Sequence, residues 1–322
     1  MSNEHIPVGQ SDEAGMPRYA GIATFALLPH IESVPHADIA VLGIPFDGGT
    51  SFRPGARFGP SHIREASRQL HPYHQTHDVH PFAVHQVVDA GDLGVSPYSI
   101  ASAVSTIERA ANEFGEQGTR LVALGGDHTI ALPLLRAVAK QHGPVAVIHF
   151  DAHLDTWDTL HRAPIWHGSP FRRAAEEGIL DQSRCLHVGL RGGVYDRVEL
   201  EDDKVLGFQV IRADDYQEHG VKVIIDRIRA RVAGGPVYLS IDIDVLDPAH
   251  APATGTPEVA GLTTRELFAT IRGLTGIGII GADIVEVAPA YDHAQLTGLA
   301  AAHTVWEVLS VMAFDAKHGI ED

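Results

Sequence analysis

Short runs of apolar, β-type residues recur along the chain and alternate with segments whose apolar positions fall three and four apart. The runs IAVLGIP, LVALGG, PVAVIHFD, CLHVGL, FQVI, PVYLSIDID and IIGADIVEV stay apolar through most of their length, as strands buried on both faces do. Between residues 98 and 114, Ile100, Val104, Ile107, Ala111 and Phe114 form a one-sided stripe, which predicts a helix lying on a sheet. Repeated strand-then-helix order predicts an α/β fold, a parallel sheet with helices on both faces, because parallel neighbours need a crossover connection. No internal repeat, low-complexity tract or Ser/Gly linker divides the chain. Residues 16–322 are therefore expected to form a single domain behind a polar arm, residues 1–15, that is loose or serves an oligomer contact.

Composition changes this picture only in what it excludes. Hydrophobic residues make up 44 % and charged residues 20 % of the 322, as in ordinary globular proteins. The formal net charge of −17 disfavours nucleic acid and anionic membranes, both bound through excess Lys and Arg, and suits cations. The start MSNEHIPVGQ lacks a basic region followed by an apolar one, and no stretch is expected to span a bilayer, so a cytoplasmic location is expected. Cys185 is the sole cysteine of the sequence. That removes intrachain disulfides and multi-cysteine zinc sites, and leaves His, Asp and Glu to hold any metal.

Three stretches put such groups just beyond apolar runs, where open parallel sheets bind ligands. LVALGGDH offers Asp127 and His128 after a turn eased by Gly125 and Gly126. HFDAHLDTWD offers Asp151, His153 and Asp155, and VYLSIDIDVLDP offers Asp242 and Asp244. Residues two apart in an extended strand share a face, so each of the last two sets is expected to converge on a small volume. A single Asp-x-Asp is usually a turn or a solvated pair. Three such sets beyond apolar runs are another matter, because buried unpaired carboxylates are costly. His128, Asp151, His153, Asp155, Asp242 and Asp244 suit two metal ions, with four carboxylates balancing two divalent charges. A hydroxide between the ions could then act as nucleophile at neutral pH. Oxygen-rich ligation with two imidazoles and no thiolate favours Mn²⁺, with Zn²⁺, Co²⁺ or Ni²⁺ as alternatives. His149 reads as a core group or a support behind the ligands, and His62, His71 and His74 carry no signal.

GGDH, DAHLD and SIDIDVLDPAHAPATGTP resemble the three signature stretches of the ureohydrolases, the dinuclear manganese enzymes that include arginase, agmatinase and guanidino-acid hydrolases. GIPFDGGTSFRPGARFGP and GADIVEVAPAYD extend the resemblance over nearly all of the chain after residue 16. It implies a three-layer α/β/α sandwich with a mainly parallel sheet of about eight strands and hydrolysis of a guanidinium to urea and an amine. Trimers or hexamers are also implied. One metal would rest on His128, Asp151, Asp155 and Asp242, the other on Asp151, His153, Asp242 and Asp244. Glu286 would pair with the guanidinium through two parallel hydrogen bonds, His167 would protonate the leaving amine, and Asp244 would help steady the tetrahedral intermediate.

Trp157 stands where relatives acting on guanidino acids commonly carry Asn. An indole can stack on an alkyl chain or attract an ammonium group, so agmatine, cleaved to putrescine and urea, is the expected substrate. The alternative is 4-guanidinobutyrate, its carboxylate received by Arg162, Arg172 or Arg173. Two residues depart from the family pattern. Ala253 replaces a glycine of the APGTGTP loop, where positive φ could require Gly, and Leu154 is bulkier than usual but should point to the opposite face. Readings from other classes are a single-zinc deacetylase of the same architecture and an inactive partner subunit.

Overall fold

The computed structural model describes residues 6–11 and 16–320. Its centre is a sheet of eight strands: β1 (Ile39–Ile44), β2 (Val87–Asp92), β3 (Arg120–Gly125), β4 (Ala146–Phe150), β5 (Leu186–Leu190), β6 (Gln209–Arg212), β7 (Val237–Asp242) and β8 (Ile279–Val285). Every neighbouring pair is parallel, in the order β2-β1-β3-β8-β7-β4-β5-β6. The helices are α1 (Gly59–Ser67), α2 (Pro81–Val84), α3 (Ile100–Glu116), α4 (Ala131–His142), α5 (Pro170–Glu176), α6 (Arg197–Val205), α7 (Ala213–Val232), α8 (Thr264–Arg272) and α9 (Leu296–Lys317).

Alternate strand residues feed two cores, as the pleat requires. Val122, Leu124, Ile148 and Phe150 pack with residues of α1, α7, α8 and α9. Ala123 and Val147 pack on the opposite face with residues of α3, α4 and α5. The result is the three-layer sandwich, and the stripe expected over residues 98–114 lies on α3.

The apolar pattern misses β2, whose sequence VVDAGD is apolar only at its start. Its buried Asp89 is neutralised instead by Arg64 of α1, with Nε and Nη2 donating at 2.8 and 3.0 Å. The bilayer expectation also needs correcting. By length and composition α9 is apolar enough to cross a membrane, yet 78 % of that stretch is buried inside the fold, where it packs on α1, α2, α8 and β8. The described part of the N-terminal arm is tied down: Val8 exchanges two hydrogen bonds with the Gln86 side chain, and Gln10 donates to Ala26 O and Leu70 O. Residues 1–5 and 12–15 lie outside the described residues.

Strand order positions the site. The chain builds one half of the sheet outward through β1 and β2, returns to β3, and builds the other half through β4, β5 and β6. Strands β7 and β8 then fill the gap between β3 and β4. The carboxyl ends of β3, β8, β7 and β4 thereby meet at the sheet's middle.

Removing Asp89 takes away the buried counter-ion of Arg64 and leaves only the more exposed Asp92 beside it. Asp89→Ala is expected to cost about 3–5 kcal/mol, and pairing Arg64→Met with Asp89→Leu is expected to cost clearly less. Denaturant titration of the variants decides. A loss below about 1 kcal/mol, the scale of an exposed pair, would show that this ion pair does not hold the edge strand.

A candidate metal centre at the carboxyl edge of the sheet

Three aspartates turn the chain at the strand ends by one device. Asp127 Oδ1 accepts from Thr129 N at 2.9 Å, Asp151 Oδ1 from His153 N at 2.6 Å, and Asp242 Oδ1 from Asp244 N at 2.8 Å. A carboxylate that captures the amide two residues on makes a tight turn. This corrects the expectation that a strand pleat brings these residues together. Strand β4 stops at Phe150, β7 stops at Asp242, and Asp155 adopts a left-handed φ of 51°. The side chains converge from turns. Gly126 serves this packing by close approach rather than by positive φ, since a Cβ there would lie 2.2 Å from Phe46 O.

The convergence forms two groups that share Asp151. His128 Nδ1 faces Oδ2 of Asp155, Asp151 and Asp242 at 3.0, 3.3 and 3.4 Å. It is buried and makes no hydrogen bond. His153 Nδ1 lies 3.1 Å from Asp244 Oδ2 and 3.2 Å from Asp151 Oδ1. Asp151 thus sends one oxygen to each group. Asp242 joins the first, while its other oxygen accepts from Asp244 N.

An imidazole nitrogen facing three buried carboxylates, with no hydrogen bond of its own, marks a place for positive charge, a proton or a metal ion. His149 lies within the same cluster, but both its ring nitrogens are committed, Nε2 to Asp151 Oδ2 at 2.8 Å and Nδ1 to His187 Nδ1 at 2.7 Å. It supports the cluster and offers no free donor, in line with its sequence reading.

His128 is oriented from behind by residues that sequence reasoning missed. Its Nε2 lies 2.8 Å from Ser240 Oγ, which donates to Asp283 Oδ1 at 2.7 Å, while Tyr238 donates to Asp283 Oδ2 at 2.7 Å. The Ser240 proton is spent on Asp283, so Ser240 accepts from His128 Nε2–H, and Nδ1 is the nitrogen turned toward the carboxylates. The available signal was a Tyr, a Ser and two Asp inside otherwise apolar strands.

Electrostatics show the strain of so many carboxylates without a cation. Burial, with the charges of Asp244 and Asp151, raises the Asp242 carboxyl well above the usual range. Burial and Asp151 push Asp244 up to about 6 against the pull of His153. Burial would lower His128 and His153, yet the surrounding carboxylates hold both well above an ordinary imidazole. Burial alone would likewise raise Asp151, but the imidazoles of His149, His128 and His153 hold it well below.

Glu286 and His167 lie beside this cluster. Glu286 follows β8 with φ 65°, and its Oε1 accepts from His128 N at 2.9 Å and lies 3.0 Å from His167 Nδ1. Its Oε2 is buried without a partner, and a Cβ on Gly255 would come within 3.4 Å of it. One oxygen, rather than the expected two, is therefore open to a guanidinium. His167 Nε2 accepts from Ser51 N at 3.1 Å and lies 2.7 Å from Ser51 Oγ. Burial would lower the His167 ring, but Glu286, Asp155 and Asp127 push it up to about 9. The Ser51 amide at Nε2 favours the neutral form, so opposing influences act on this ring.

Trp157 lies 6.2 Å from the His153 ring and stacks on Trp166 at 6.0 Å. Its N–H donates to Glu199 at 2.9 Å, so the indole has no proton left for a carboxylate. Arg172 is engaged by Thr156 O and Asp202, and Arg173 by Asp158 and Glu176. Arg162 is exposed, with φ 69°. Ala253 is buried, accepts from Ala288 N and donates to Thr297 Oγ1, with no positive φ, so alanine fits the loop. Leu154 is buried and lines a separate cavity with Thr156 and Trp157. Away from the site, His62 pairs with Asp292, His74 with Glu307, and His71 lies near Arg18.

Comparison with known proteins gives the same reading. The Arginase family model matches residues 37–310. The chain is similar to guanidinobutyrase of Pseudomonas aeruginosa, 42 % identical over 96 % of this chain and 97 % of that protein. It is 41 % identical to mitochondrial agmatinase of Gallus gallus over 92 % of this chain and 87 % of that one. The solved structure of proclavaminate amidino hydrolase from Streptomyces clavuligerus superposes with a TM-score of 0.88 at 40 % identity, covering 92 % of this chain and 99 % of that one. With a sheet-edge cluster suited to a dinuclear metal site, the chain belongs to the Arginase family and is an amidinohydrolase, a hydrolase that acts on guanidino compounds.

Proposed function

We propose that this amidinohydrolase cleaves agmatine to putrescine and urea at a pair of Mn²⁺ ions. The observation that carries the metal reading is the buried His128 Nδ1, facing three carboxylate oxygens with no hydrogen bond. His128, Asp151, Asp155 and Asp242 would hold one ion, and His153, Asp151, Asp242 and Asp244 the other. Oxygen-rich ligation without thiolate supports Mn²⁺. When bound, such a pair supplies Lewis acidity and makes a nucleophile from water near neutral pH.

The chain's own groups do the rest. The open Glu286 Oε2 receives a guanidinium N–H and holds the planar group over the cluster. His167, bridged by Glu286 Oε1 on one side and Ser51 on the other, carries a proton toward the leaving amine. Burial of Glu286 and His167 limits access of bulk water to the transfer, with Ser51 at the exposed side of the ring. At the far end of the substrate, the face of Trp157, backed by Glu199, favours an ammonium group.

One observation favours 4-guanidinobutyrate as a second reading. Half-buried Arg53 lies 5.6 and 5.2 Å from the Phe52 and Tyr291 rings, with no carboxylate partner among the described residues. A substrate carboxylate could supply one.

Urea release from both guanidines separates these readings. Agmatine is expected to have the higher kcat/KM by roughly two- to thirtyfold, the worth of a cation–π contact, and Trp157→Asn should narrow or reverse the gap. A tenfold preference of the unmodified enzyme for 4-guanidinobutyrate, about 1.4 kcal/mol, would overturn agmatine. His167→Asn should lower kcat by about 10²–10⁴ with metal content intact, and an unchanged kcat across the pH range would remove His167 from the reaction.

The raised pKa values add a prediction about the metal-free protein. Asp244, at about 6, holds a proton below that pH, and His128 and His153 hold theirs well above an ordinary imidazole. Folded-state pKa values above the unfolded ones mean stability present at low pH and lost as pH rises through them. Metal entry displaces those protons. Binding should therefore release protons and tighten as pH rises through 6, which calorimetry in buffers of different ionisation enthalpy will measure. Heats independent of the buffer would contradict this electrostatic picture.

A further inference from the structure

Helix α6 docks in an unusual way. Its sequence RVELEDDKV is rich in acids, and its single buried residue is Asp203. Surface helices normally pack through an apolar stripe, whereas here a carboxylate only 1 % exposed enters the protein.

What Asp203 meets is a buried row of hydrogen bonds leading to the metal cluster. Its three links take three protons, one more than two neutral imidazoles carry, so the ring pair shares one positive charge between Asp203 and Asp151. Asp203 Oδ1 lies 3.0 Å from His187 Nε2, His187 Nδ1 lies 2.7 Å from His149 Nδ1, and His149 Nε2 lies 2.8 Å from Asp151 Oδ2. Thr156 Oγ1 donates to the same Asp203 oxygen at 2.8 Å. Sheet register sets the row, because His149 of β4 and His187 of β5 are direct partners across the parallel pair. Aromatic rings confine both imidazoles. Phe208 stacks on His187 at 4.3 Å and 12°, and Phe171 lies 4.2 Å from His149. Rings so confined keep little freedom beyond rotation in their own planes, and hydrogen bonds at both nitrogens fix that as well.

We infer that Asp203 is a positioning residue for the metal centre, acting through His187 and His149 on Asp151. Asp151 is the ligand whose two oxygens serve the two groups, so a tilt of its carboxylate disturbs both ions. Groups that orient ligands from behind typically govern metal affinity by about 10–100-fold. The inference rests on the reading of Asp151 as a shared ligand. Other contacts keep α6 in place when Asp203 is changed: Glu199 accepts from Trp157 Nε1 at 2.9 Å, and Asp202 pairs with Arg172 at 3.4 Å, whose Nε donates to Thr156 O.

The test measures Mn²⁺ affinity of metal-stripped full-length protein by chelator competition, with thermal melting as the check on folding. Asp203→Leu keeps an apolar side chain of similar size in the pocket but severs the row, and is expected to stay folded while Mn²⁺ binds about 10–100-fold more weakly. Asp203→Asn retains an acceptor oxygen for His187 and should restore most of the affinity. Asp202→Ala, on the exposed side of the same helix, should leave it unchanged. A folded Asp203→Leu protein that holds both ions as tightly as the parent overturns the inference. If that variant does not fold, Thr156→Val decides: severalfold weaker binding supports the inference and unchanged binding overturns it. A parent protein that fails to take up two ions would instead overturn the metal reading itself.

Discussion

Everything at the sheet edge depends on one electrostatic constraint. Four aspartate carboxylates, all but fully buried, lie within a few ångströms of two imidazoles. Such a cluster is expensive in a low-dielectric interior unless positive charge joins it. Without a cation, protons take that place, which is why Asp242 and Asp244 rise and His128 and His153 hold their protons so firmly. Two divalent ions would balance four carboxylates, and a shared Asp151 would let one rigid group set the spacing of both.

The fold carries that cost through the elements beneath it. Strands β3, β4, β7 and β8 are buried on both faces, so their ends are fixed by two independent cores. Each metal-binding stretch then leaves its strand through an aspartate turn. The carboxylates accepting those amides belong to the cluster or flank it, so backbone geometry and site chemistry are not separable. The same economy holds for His128, whose Nδ1 is aimed by Ser240 and Asp283, cross-strand partners in register on β7 and β8.

Much of this was legible in the sequence, for physical reasons. Strands buried on both faces leave continuous apolar runs, so six of the eight could be read directly from that signal, and the edge strand β6, with only Ile211 buried, from the short run FQVI. Strand β2 could not, because Asp89 replaces apolar burial with the Arg64 ion pair, a contact between residues 25 positions apart. The six candidate ligands announced themselves as polar groups just past apolar runs. The route by which they converge did not, since residue spacing alone cannot tell a pleat from a turn closed by its own carboxylate. Positioning groups such as Ser240, Asp283, His187 and Asp203 were hidden for a different reason. Each is a single polar residue whose partner comes from another element, and only the sheet order brings the two together. The glycine expected at position 253 was a weaker guide, because the loop there runs without positive φ and accommodates alanine.

The most direct test of the account is anomalous diffraction from crystals of the Mn²⁺-loaded protein. The buried cluster should show two manganese peaks per chain, roughly 3.5–4 Å apart as in other two-metal sites, with one oxygen of Asp151 on each ion or a single oxygen bridging both. One peak, or two peaks that do not share Asp151, would contradict it.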